Sequence, residues 1–157
     1  MPTVVRFDEP VLFWLPEIRV ATEETGVSPS LIAGVIRVES QGIPLSESPV
    51  GAQGLMQMMP FQLVAQGIPK HQWSHPMTNI TAGARLLKWN IEQQGTHWDG
   101  VAHYFGIGCD GFSCTDAYVG DVLRWEAHYA PLIVAPGSVS PLALSAAGGS
   151  NTVTDHE

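Results

Sequence analysis

The sequence predicts a single, mainly α-helical α+β domain, with room for no more than a small β element. Three observations carry this expectation. Apolar residues recur at helical spacing from Val11 to Tyr129, and no alternating run is long enough for a large sheet. At 157 residues, 45% hydrophobic against 14% charged, the chain can build one core but not two comfortable ones.

The elements follow in order. Val11, Leu12, Leu15 and Ile18 predict a helix over 11–25 that Gly26 stops and that Pro16 kinks or delays. Ser28 and Pro29 open a second helix, Pro29 to Ser40, by supplying a side-chain oxygen for orphan amides and then a fixed helical φ. Residues 42–54 are rich in Pro, Ser and Gly and read as an ordered loop with a short hairpin. A short helix over 60–66 stops at Gly67, and a long one over 79–94 carries Ile80, Leu86, Leu87 and Ile91. Another short helix spans 98–105, and the stretch GIGCDGFSC reads as loop. Thr115 is expected to cap the last helix, with Tyr118, Val119, Val122, Leu123 and Trp125 on its apolar side.

Composition excludes several classes of partner. Fifteen acidic residues against 7 basic ones, with a pI of about 5.1, is the opposite of the positive footprint that nucleic-acid binding requires. The opening residues lack a basic stretch and meet Asp8, Glu9 and Pro10 before any sustained apolar run, so no signal peptide is expected. The uncharged region 131–154 is broken by Pro, Gly and Ser, so no membrane span is expected either.

Glu39 is the informative position. Val35 and Ile36 lie four and three residues before it and Leu31 eight before, so a carboxyl group shares their helical face and points at the core. Arg37, two positions away, faces elsewhere. Desolvation should therefore raise the pKa of Glu39, as a general acid working near neutral pH needs. Periodicity alone leaves the blander alternative, a solvated residue in a last helical turn, as the more common case.

The following segments change that balance. Glu39-Ser40, then Ser48 and Gly51-Ala52-Gln53-Gly54-Leu55-Met56-Gln57 with Pro60, resemble the soluble lytic transglycosylase family. So do Asn79-Ile80-Thr81-Ala82-Gly83 and Thr115-Asp116-Ala117-Tyr118-Val119, and the three blocks occur in the family's order. One departure stands out: where the family has Ala-Tyr-Asn-x-Gly, this chain has Ala102-His103-Tyr104-Phe105-Gly106, so Tyr104 is the counterpart and the Asn is missing.

The resemblance implies a lysozyme-like α+β fold, mostly helical, with a small hairpin or sheet near the active-site cleft. It also implies a peptidoglycan lytic transglycosylase that cuts the β-1,4 bond between N-acetylmuramic acid and N-acetylglucosamine and leaves a 1,6-anhydromuramic acid end. Glu39 is then the catalytic residue. Ser48, Gln57, Met59, Tyr104 and Tyr118 are the substrate-binding candidates. An amide such as Gln57 suits an N-acetyl sugar, a polarisable Met59 suits sugar rings, and a tyrosine offers both a ring and a hydroxyl to hold the acid. Ser48 can face the acid or simply make a turn.

No cofactor or metal is expected. His71 and His75 lie in a loop flanked by Pro69 and Pro76, with no carboxylate between them in a zinc-protease arrangement, and Cys109, Cys114 and His103 lack a fourth ligand. Cys109 and Cys114 are instead expected to bridge across the turn between them outside the cytoplasm. The rivals are a goose-type lysozyme, with Asp99, Asp110 or Asp116 holding a water, and a non-catalytic wall-binding subunit. The acidic charge and the absent signal peptide point to delivery to the cell wall within a larger virion or secretion assembly, a bacteriophage particle foremost. The domain is expected to occupy 1–132. Residues 133–157, with little periodic apolar surface, read as a flexible tail that catalysis does not need.

Overall fold

The computed structural model describes residues 9–105 and 112–133. Six α-helices occur among them: α1 (Leu15–Thr25), α2 (Pro29–Ser40), α3 (Pro60–Ala65), α4 (Pro76–Gln94), α5 (His97–Phe105) and α6 (Phe112–Tyr129). Pro16 delays the first helix rather than kinking it. A 3₁₀ turn, Leu12–Trp14, precedes α1, and the proline falls in the first α turn, where its missing N–H breaks no bond. Gly26 ends α1 at φ 75°, and Ser28 Oγ caps α2 by accepting from the Leu31 N–H at 3.3 Å.

Two expected boundaries move. The long helix α4 starts at Pro76, so Asn79 lies inside it rather than at its beginning. The reason is local, since a proline at the first helical position has no N–H to leave unpaired. The last helix starts at Phe112, so Thr115 belongs to its first turn and does not cap it, and the predicted loop ends before Phe112.

Among the described residues there is no β-strand, which corrects the expected hairpin. The loop between α2 and α3 forms only isolated antiparallel bridges, Glu47 with Gln53 and Gln53 with Met58. Positive φ at Gly51, Gly54 and Gln57 turns the chain every few residues, so pairing never propagates. Cys109, Asp110 and the tail from 134 onward lie outside the described residues, as does the bridge expected between Cys109 and Cys114.

Helix α2 is the centre of the domain. Leu31 to Ile36 are all buried, so the helix is enclosed on every side and not only along one stripe. It packs against α6 at Gly34, where a Cβ would stand 2.8 Å from the Val122 carbonyl oxygen. The glycine therefore sets the helix spacing. α1 and α5 flank α4, and no helix of the described residues is long and apolar enough to cross a membrane.

Candidate active site

The site begins where α2 ends. Glu39 occupies its last turn, beside the loop that α3 follows, and its carboxyl group is largely shielded from water. Burial is the main influence on its proton affinity and pushes the pKa up from 4.5 to about 7, against a smaller opposite effect from Tyr118. No carboxylate among the described residues contributes. Arg37 is drawn away, pairing with Glu9 at 3.5 Å and lying over the Trp125 ring at 4.4 Å, as its spacing from Glu39 required.

Tyr118 reaches the acid from α6. Its hydroxyl donates to Glu39 Oε1 at 2.5 Å, and its ring lies 4.5 Å from that of Phe105. One carboxyl oxygen is thus held while the other remains for chemistry. Burial first, and then the charge of Glu39, push the Tyr104 pKa up, but its hydroxyl donates elsewhere, to the Met56 carbonyl at 2.7 Å. That bond ties α5 to the loop. Of the two tyrosines, Tyr118 holds the acid and Tyr104 braces the wall beside it.

Gln57 adopts a left-handed φ of 48° and spends both amide hydrogens on the chain, donating to Ser46 O at 3.0 Å and Gly54 O at 2.9 Å. Only Oε1 is left to meet a ligand, so this residue can accept but not donate. Ser48 makes the turn: its Oγ accepts from the Ala52 N–H at 3.0 Å. Met56 is fully buried, whereas Met59 is partly exposed at the start of α3.

Two residues outside the candidate set hold this loop in place. Asn79, fully buried, accepts from the Met56 N–H at 2.8 Å and donates to Gln53 O at 2.9 Å and Trp73 O at 2.8 Å. Gly54 sits against it so closely that a Cβ would lie 2.5 Å from Asn79 Nδ2. Ser40, next to the acid, donates to Leu55 O at 2.7 Å and binds the end of α2 to the same loop. The sequence signal for both was their place in the motif blocks, but only contact reveals what they do.

Among the described residues the arrangement is a single shielded carboxyl group, able to give and retake a proton, beside a loop held by hydrogen bonds. A model of the transglycosylase SLT domain matches residues 16–110, more than half of the chain. The chain belongs to this family. Among curated proteins the SLT domain is 37% identical over 95 residues to the transglycosylase of Enterobacteria phage PRD1, covering 60% of this chain and 35% of that protein. It is 32% identical over 120 residues to membrane-bound lytic murein transglycosylase C of Haemophilus influenzae, covering 71% of this chain and 33% of that one. The chain therefore spans about a third of the length of these relatives. Among solved structures it resembles the 70 kDa soluble lytic transglycosylase of Escherichia coli, with 28% identity and a TM-score of 0.63 over 73% of this chain and 23% of that one.

Tyr118→Phe in this SLT domain provides a direct test of the tyrosine contact. The hydroxyl stabilises the charged form of Glu39, so its loss should move the pKa further above 7 and shift the alkaline limb of the pH–rate profile to higher pH. Turnover should fall about 10-fold, within the range expected for a disturbed general acid. An unmoved limb would show that the hydroxyl does not bear on the acid.

Proposed function

We propose that this SLT domain is a peptidoglycan lytic transglycosylase that breaks the β-1,4 bond between N-acetylmuramic acid and N-acetylglucosamine. The observation that carries the reading is Glu39, raised to about 7 by burial with no carboxylate among the described residues acting on it. Retaining and inverting glycosidases use two carboxyl groups at set separations. Of the rival aspartates, Asp99 is occupied in a helix-start pair with Thr96, Asp116 is exposed, and Asp110 lies outside the described residues. On this reading one group serves twice.

The chemistry closes with one. Glu39 protonates the bridging oxygen, the glycosidic bond breaks, and the acetamido group stabilises the cation at the muramic acid C1. The same carboxylate then takes the proton from that sugar's own C6 hydroxyl, whose oxygen bonds to C1. No water is consumed, and Glu39 regains its proton. The ring closure is intramolecular, so its high effective molarity lets it outrun hydrolysis. Gln57 Oε1 accepts from a sugar N–H or hydroxyl, Met59 and Tyr118 line the sugar path, Tyr104 supports the wall, and Ser48 shapes the loop facing the acid.

The likeness to SLT-type structures supports a lysozyme-like architecture, with the small β element reduced to bridges in the 42–58 loop. The phage relative is compatible with action on the wall as part of a virion, and the catalytic domain in this reading is residues 1–132. Digestion of purified walls followed by chromatography with mass detection tests the reaction. Muropeptides one water lighter than lysozyme products, with non-reducible muramic ends, are expected. Reducing ends carrying an added water would identify a hydrolase instead.

A further inference from the structure

The last two residues of α5 meet different partners. Tyr104, buried, spends its hydroxyl on the Met56 carbonyl, whereas Phe105, partly buried, sets its ring against that of Tyr118 on α6, with the centroids 4.5 Å apart and the planes at 34°. Tyr118 is the residue whose hydroxyl donates to Glu39 Oε1 at 2.5 Å. A tyrosine hydroxyl stands at the far end of a ring carried on two rotatable bonds, so a modest turn about either takes it out of reach of a carboxyl oxygen. Among the described residues, Phe105 is the aromatic ring paired with Tyr118. It also follows Tyr104 directly, at the place where the family pattern has the Asn that this chain lacks.

We infer that Phe105 is a positioning residue for the reaction, its ring holding that of Tyr118 so that the phenol hydroxyl stays on Glu39. This rests on the reading of Glu39 as the acid of a glycan-cleaving site and adds a residue that acts on it at one remove. Tilted ring pairs at this separation are favourable beyond the area they bury, so the contact resists rotation of the tyrosine. Both sides of the contact are anchored. The Tyr104 bond to Met56 O ties the end of α5 to the loop beside the acid, and α6, which carries Tyr118, packs on α2, which carries Glu39, at Gly34. Burial, and then the charge of Glu39, hold the pKa of both tyrosines well above its ordinary value, so neither phenol titrates where Glu39 does, and the alkaline limb of the rate follows the acid.

The test is a double-mutant cycle on soluble, uncross-linked glycan strands, with wild type, Phe105→Leu, Tyr118→Phe and the double variant. Leucine keeps apolar bulk and removes the ring. Thermal unfolding checks each fold, and Phe105→Met carries the same cycle if Phe105→Leu does not fold. Phe105→Leu should lower kcat by roughly 5-fold with KM unchanged, less than Tyr118→Phe because an unsupported hydroxyl still visits the acid. It should also move the alkaline limb to higher pH, the direction in which loss of the hydroxyl bond sends Glu39. In the Tyr118→Phe background the same substitution should cost less than about 2-fold more, since the hydroxyl through which it acts is gone. Phe105→Tyr keeps the ring and should recover most of the loss. Losses that multiply in the double variant, a limb that stays in place or moves to lower pH, or a change confined to KM would overturn the role of Phe105. Coupled losses in an enzyme that leaves reducing ends would keep that role and remove the proposed reaction, whereas multiplying losses with anhydro ends would do the reverse.

Discussion

Glu39→Gln is expected to abolish turnover while leaving a folded protein that still binds glycan. The amide can accept the Tyr118 hydroxyl bond but has no proton to give to the leaving oxygen. A positioned acid is worth about 10²- to 10⁴-fold, and here one group acts as both acid and base, so the loss should lie at or above the upper end. The wild-type rate should decline above pH about 7 as Glu39 loses the proton it must donate.

The same substitution has a sign in stability. A carboxyl group at about 7 when folded and 4.5 when unfolded keeps a proton in the native state that the unfolded chain releases, so it destabilises the fold progressively as pH rises from 4.5 to 7. Above pH 7 that cost is fully present. Glu39→Gln removes it and should raise stability at pH 8 by up to about 3 kcal/mol, with little change at pH 4. Activity assays beside thermal unfolding at the two pH values check both halves. An active Glu39→Gln protein would remove Glu39 from the chemistry, and equal stability effects at both pH values would show that the carboxyl group is not desolvated.

Asn79→Ala should cost the most stability of any single truncation near the site. It strips partners from one N–H and two carbonyls at once, at Met56, Gln53 and Trp73. Each buried group left unpaired costs about 1–3 kcal/mol, and water entering the gap recovers part of it, so a net loss of roughly 3–5 kcal/mol is expected. Asn79→Asp should also destabilise, since it keeps the acceptor for Met56 but loses both donated bonds. Turnover should fall with the fold margin because the freed loop carries Gln57 and Met59. Urea unfolding measures the first effect, and a loss below about 1 kcal/mol would show that the three bonds do not hold the loop.

Much of this protein was legible in its sequence because the responsible interactions are local. Ser28-Pro29 opens α2 and Gly26 ends α1 through backbone geometry that neighbouring residues decide, and helix α2 runs over the span its sequence predicts. Glu39 could be singled out because Leu31, Val35 and Ile36 fix its direction along one helix, and the motif blocks that follow it mark the family to which the chain belongs. Tertiary structure decided what depends on residues distant in the chain. The acid's proton affinity is set by enclosure of α2 and by Tyr118, 79 residues away. The two tyrosines look interchangeable in sequence, yet only one reaches the acid, because the Met56 carbonyl takes the other. The 42–54 loop carries hairpin signals in sequence, but positive φ at Gly51, Gly54 and Gln57 interrupts the ladder, and Ser40 and Asn79 hold the loop instead. Local spacing fixes the direction in which a side chain leaves its helix, whereas the partner it meets depends on how the helices pack.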